Sequence, residues 1–172
     1  MPDRPLTPSG ARNSSRCRLS IYVRATARAV ALAVTLFAAA GANGQERSAH
    51  ANYILRCAGC HTLDGSGVAD AGIPDFRNLV GAFTADEAGR TYFMHVPGVI
   101  GASLTDQEIA GLLNYVVDTW AGESRPPFFI NFTANEVARL RAVEIGDVVT
   151  YRRSLVEDLT AKGIATADYP WP

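Results

Sequence analysis

The 172-residue sequence predicts a mostly α-helical protein, a helical domain followed by a C-terminal helical extension. Three observations carry this expectation. Thr-x-x-Glu, the reciprocal capping signature of a helix start, occurs at Thr84–Glu87, Thr105–Glu108 and Thr133–Glu136. Apolar residues recur at helical spacing through Ile109, Leu112, Leu113, Val116, Val117 and Trp120. The alternating apolar and polar pattern of strands is scarce. At 48% hydrophobic content the chain has the material for a core of its own.

Taken in order, the first element is a leader. Residues 1–28 hold six arginines and one acid, Asp3, and an uncharged apolar run follows from Ala29 to Ala42. Small residues and then polar ones come next, so residues 1–44 read as a signal peptide cut near Ala42 or Gly44. Fourteen residues of helix reach about 21 Å, short of a hydrocarbon core of roughly 30 Å, so a membrane is involved only if the leader stays uncut. Cys17 leaves with it. The remainder keeps ten basic and sixteen acidic residues, a formal charge of −6. That balance excludes a basic face for nucleic acid and favours a partner with a basic docking surface, whose attraction salt would weaken.

Next comes HANYILRCAGCH, residues 50–61, with Cys57, Cys60 and His61 as its chemistry. Two cysteines three apart can serve as a redox dithiol, a zinc site or a covalent haem anchor. A dithiol of the thioredoxin kind needs a strand-to-helix junction, and the flanks here are helical and then rich in Gly and Pro. Zinc would need two of His50, His61 and His95 besides the thiols, and the adjacency of Cys60 and His61 suits one tetrahedral ion badly. Haem attachment needs what is present. If the stretch is one helix, both thiols and the imidazole project to one side, with small Ala58 and Gly59 between them. C-x-x-C-H is the attachment motif of haem c, and in bacteria that attachment occurs outside the cytoplasm, in agreement with the leader.

On these residues the chain resembles the class I c-type cytochromes, in the form of a bacterial exported monohaem cytochrome c. In that family a first helix ends in the motif, a Gly- and Pro-rich loop wraps the haem, and a last helix packs across the first. The stretch CAGCHTLDGSGVADAGIPDF resembles the helix end and loop, and SLTDQEIAGLLNYVVDTW the packing helix; together the resemblance spans about residues 49–122. It implies a haem-wrapping helical domain over residues 45–122, one covalent haem c on Cys57 and Cys60, and His61 as the proximal iron ligand. It further implies that Pro74 offers its carbonyl to the Nδ1–H of His61; the other reading of Pro74 is a plain loop kink.

The family places its sixth ligand between the middle and last helices, where GRTYFMHVPGVIGAS holds the adjacent Met94 and His95. Either can bind haem iron, and Met94 is the chain's only methionine besides the initiator. Met94 is the candidate distal ligand and His95 the alternative; a third possibility is another group or an open site. Pro97 lies three residues past Met94, whereas the family often has it directly after the methionine. Met94 as core filler at the end of a helix is the competing reading. His50 reads as exposed, and Tyr115 and Trp120 as packing. Glu87, Glu108 and Glu136 read as caps, and Asp64, Asp70 and Asp75 as solvated turn formers.

After Trp120, Pro126-Pro127 breaks the pattern and opens an extension over residues 123–172. Phe128, Phe129, Ile130 and Phe132 are too apolar for a free linker, and helices are expected near 134–143 and 147–162, with Gly163 as a stop. The extension is read as packing on the haem domain as a lid, or else as a docking arm. No nucleophile triad, paired carboxylates or phosphate loop marks a catalytic pocket. The whole reads as a periplasmic carrier of single electrons, not an enzyme, serving a periplasmic dehydrogenase or a terminal acceptor. The alternatives are a haem enzyme or gas-binding sensor with an open distal site, and the haem subunit of a periplasmic dehydrogenase complex.

Overall fold

A computed structural model describes residues 47–170. The expected signal peptide, with Cys17 and the cleavage region at Ala42 and Gly44, lies outside the described residues. Those described are mostly helical as expected, and the nearest approach to a strand among them is one antiparallel bridge between Val68 and Ile73.

Helix α1, Ala49–Arg56, starts where Ser48 Oγ accepts from the Ala51 amide at 3.2 Å. The run through the C-x-x-C-H motif is not one helix. It breaks at Cys57 (φ −120°, ψ −38°) and resumes as the single turn α2, Ala58–His61. The Cys57 carbonyl accepts from both Cys60 N (3.1 Å) and His61 N (2.8 Å), which keeps the two halves of the motif in register.

Beyond His61 a loop turns on glycines. Gly67 sits at φ +63°, and a Cβ there would stand inside van der Waals contact of the Ile73 and Pro74 carbonyls. Only glycine lets the two limbs of the loop approach this closely. The loop's outer side is pinned by charge: Arg77 pairs with Asp75 at 2.7 Å and Asp64 at 3.3 Å.

Helix α3, Glu87–His95, is capped by Asp86, whose carboxylate accepts from Gly89 N at 2.9 Å. Thr84, the cap expected from the sequence, instead ends a 3-10 turn, Val80–Thr84, and its hydroxyl donates to the Gly81 carbonyl at 2.7 Å. A one-turn helix α4, Pro97–Ile100, follows with proline at its first position, where the missing N–H costs no hydrogen bond. Helix α5, Asp106–Trp120, carries the full capping box between Thr105 and Glu108. Its stripe from Ile109 to Val117 is buried as the spacing requires.

α5 packs across α1 through aromatic rings: Tyr53 and Trp120 lie 4.6 Å apart between centroids. The remaining helices are α6, Ala134–Arg141, and α7, Val148–Ala161. They join the same core as α3 and α5, with Phe132, Val137, Leu140, Leu155 and Leu159 all buried in it. Each such side chain taken from water contributes about 1.5–3 kcal/mol. Asn114 of α5 clamps the connector by accepting from Phe132 N (2.7 Å) and donating to Phe132 O (3.0 Å). Glu136, expected as a cap, instead turns its carboxylate to Arg90 on α3. Gly163, at φ +72°, follows the end of α7.

Candidate haem site

α1, α2 and the loop that follows bring the motif to the wall of a cavity of about 410 Å³. Cys57, Cys60 and His61 all line it, as does Pro74. Much of the remaining wall is apolar: Leu79 and Val80 before α3, Phe93 on it, and Leu113, Val116 and Val117 on α5. A slot of this size and lining suits a flat, largely apolar molecule.

The imidazole is held before any metal arrives. His61 Nδ1 lies 3.2 Å from the Pro74 carbonyl oxygen, and that carbonyl can only accept, so Nδ1 carries the proton. Nε2 then bears the lone pair for a metal. The ring also stacks on Phe76, at 4.0 Å between centroids and 18° between planes. Burial lowers the His61 pKa against the opposing pull of the Pro74 bond, which favours the neutral, ligating form.

The Cys57 thiol is not tuned as the nucleophile of a redox pair. Burial, with the charge of Cys60 second, pushes the Cys57 thiol up to about 11, whereas nucleophilic dithiols have depressed values. The two are not joined in a disulfide. Among the described residues no three His, Cys, Asp or Glu side chains converge as a metal-ion site. Two thiols and a pre-oriented imidazole on one apolar slot are the donor set of a covalently tethered haem.

The side chains expected to reach iron from the other face lie elsewhere. Met94 is 1% exposed in the core and is not among the residues lining the cavity. His95 also lies off the lining, its Nδ1 2.9 Å from the Thr91 carbonyl oxygen of its own helix. His50 is exposed on α1, 5.6 Å from the ring of Tyr115. Asp64 is an exposed loop residue, Asp70 is exposed on the single 3-10 turn Ala69–Ala71, and Asp75, at the cavity rim, is engaged by Arg77.

Three lining residues were not legible as such: Tyr92, Arg152 and Tyr169. Arg152 is buried, donates to the Tyr92 hydroxyl and the Ala167 carbonyl (both 3.2 Å), and lies over the ring of Tyr169 at 4.9 Å. Its position was a signal, because Val148, Arg152, Leu155 and Leu159 fall on one helical stripe, where an arginine stands out.

This fold and this donor set define a c-type cytochrome. Comparison with known proteins agrees: two curated relatives, both named cytochrome c-552 and both from Thermus thermophilus, are 33% identical over 113 residues. The match takes in 55% of this chain and 86% and 76% of theirs. No family model matches the chain. The chain belongs to the c-type cytochromes, and its cofactor is haem c.

Proposed function

We propose that this c-type haem electron carrier works in the periplasm, between a dehydrogenase and a terminal acceptor that present basic faces. The observation that carries the reading is the His61–Pro74 bond at the wall of a slot that both thiols share. When bound, the haem supplies a one-electron ferric/ferrous couple. The chain's own residues do the rest. Cys57 and Cys60 tether the porphyrin through thioether bonds, and His61 donates Nε2 to iron. The Pro74 carbonyl keeps the imidazole in one tautomer and strengthens its donation. Leu113, Val116, Val117 and Phe93 exclude water from the couple. Residues 45–122 hold the haem in this reading, and residues 123–172 close over it as a packed extension.

Export rests on the leader and on the place where haem c is attached. None of the described helices is long and apolar enough to cross a membrane. The charge of −6 beyond residue 44 supports docking to a basic partner.

The test is maturation of the full chain in a bacterial periplasm, followed by intact mass measurement and rapid-mixing electron exchange with a basic and an acidic redox protein. One covalent haem, lost when Cys57 or Cys60 is replaced by Ser, is the expected result. Exchange with the basic protein should slow as salt rises. Haem retained without both thiols, or rates indifferent to salt, would sink the respective halves of the reading.

A further inference from the structure

We propose that the iron face opposite His61 receives no protein ligand and takes a small neutral diatomic molecule of the carbon monoxide or nitric oxide class. This rests on the reading that haem occupies the cavity on Cys57, Cys60 and His61. Haem iron in proteins is held by His, Met, Cys or Tyr side chains. The chain has three His and two Met. Of those among the described residues, His61 is the proximal donor and His50 is exposed beside Tyr115. Met94 and His95 therefore decide the matter, and both belong to α3.

Helical geometry and packing fix where they stand. Tyr92 and Phe93 line the cavity. At 100° per residue Met94 is turned about 150° from their mean direction, toward the opposite side of the helix. Rolling α3 to present Met94 would break what holds it. Arg90 makes a two-pronged ion pair with Glu136 at 2.6 and 2.7 Å, and the Tyr92 hydroxyl accepts from buried Arg152. His95 is tied back to the Thr91 carbonyl.

The segment from the end of α3 through α4, where the family resemblance puts the sixth ligand, gives the cavity Val96, Pro97, Gly98 and Val99. None of these side chains can bind iron. This stretch of wall is apolar and suits a small neutral diatomic. Two tyrosines also line the cavity, Tyr92, whose hydroxyl accepts from Arg152, and Tyr169, whose ring lies 4.9 Å from the Arg152 guanidinium, and the test includes both.

The experiment uses the full chain matured with its haem. Intact mass first asks whether haem is covalently present; a haem-free polypeptide overturns the parent reading and this one together. On the loaded protein, ferric and ferrous absorption spectra are recorded with and without carbon monoxide. Wild type is compared with Met94→Leu, a volume-conserving change, and with His95→Ala, Tyr92→Phe and Tyr169→Phe. The expected result is a five-coordinate ferrous spectrum and one equivalent of carbon monoxide bound per haem, with no slow ligand-displacement phase, in all five proteins. A six-coordinate ferrous spectrum refractory to carbon monoxide overturns the inference. It does so whether one variant abolishes that spectrum, which names the ligand, or all of them retain it.

Discussion

Arg90 on α3 and Glu136 on α6 face each other through two parallel hydrogen bonds, Nε to Oε1 at 2.6 Å and Nη2 to Oε2 at 2.7 Å. The guanidinium lies over the ring of Phe132 at 3.7 Å and also donates to the Ile130 carbonyl. One side chain therefore ties the cavity-lining helix to the connector and to the extension. Glu136→Gln should cost about 2–3 kcal/mol, because it leaves a mostly buried cation with a neutral partner. Urea unfolding of the haem-loaded variant checks this, and a loss within about 0.5 kcal/mol, what an exposed site gives, would count against the clamp.

Gly67→Ala should reach the iron through the backbone. Its new Cβ would collide with the Ile73 and Pro74 carbonyls, at a position that already demands positive φ. Displacing the Pro74 oxygen weakens the bond to His61 Nδ1, lowers donation to iron and so favours the ferrous state. The midpoint potential should rise while haem remains attached; an unshifted potential in a folded variant would exclude this route.

Tyr53→Phe should destabilise the protein by about 1–2 kcal/mol. The Tyr53 hydroxyl donates to the Thr62 carbonyl at 2.7 Å, just after His61, and its removal orphans a part-buried acceptor. Thermal unfolding reads the loss.

Asp64 should contribute to the acid limb of stability, beside Asp75, Glu108 and Asp147, whose carboxyls are also held down by hydrogen bonds. Hydrogen bonds from Thr62 and Ser66, with the charge of Arg77 assisting, hold its carboxyl down at about 2. A depressed folded value means that the contribution is present above the usual carboxylate range and fades as pH falls toward 2. Asp64→Asn should therefore lower stability at neutral pH and converge with the wild type as pH falls toward 2, which makes the slope between about pH 4 and 2 shallower. A wild-type slope in that window would refute the assignment.

Much of this site was legible because it is local. Cys57, Cys60 and His61 lie within five residues of sequence, and Pro74 follows on the loop they open. The capping box at Thr105 was readable for the same reason: its partners are three residues apart. What escaped depended on distant chain. Thr84 lost its capping role to Asp86 because the preceding turn took its hydroxyl. Glu136 left its own helix for Arg90, and the side of α3 that meets the cavity is set by that pair and by Arg152, not by Met94's place in the sequence. The break at Cys57 was equally hidden, since the stretch reads as a continuous helix.

The cavity wall runs from Arg56 to Tyr169, and a Cβ placed on Gly72 of the loop after the motif would meet the Tyr169 ring at 3.5 Å. Closing such a wall requires contacts between segments far apart in sequence, the kind that form slowly. The motif, by contrast, is complete as soon as one short turn forms. The motif can therefore form before α7 packs, and the last side of the cavity to close is the one that Val148, Val149 and Arg152 supply.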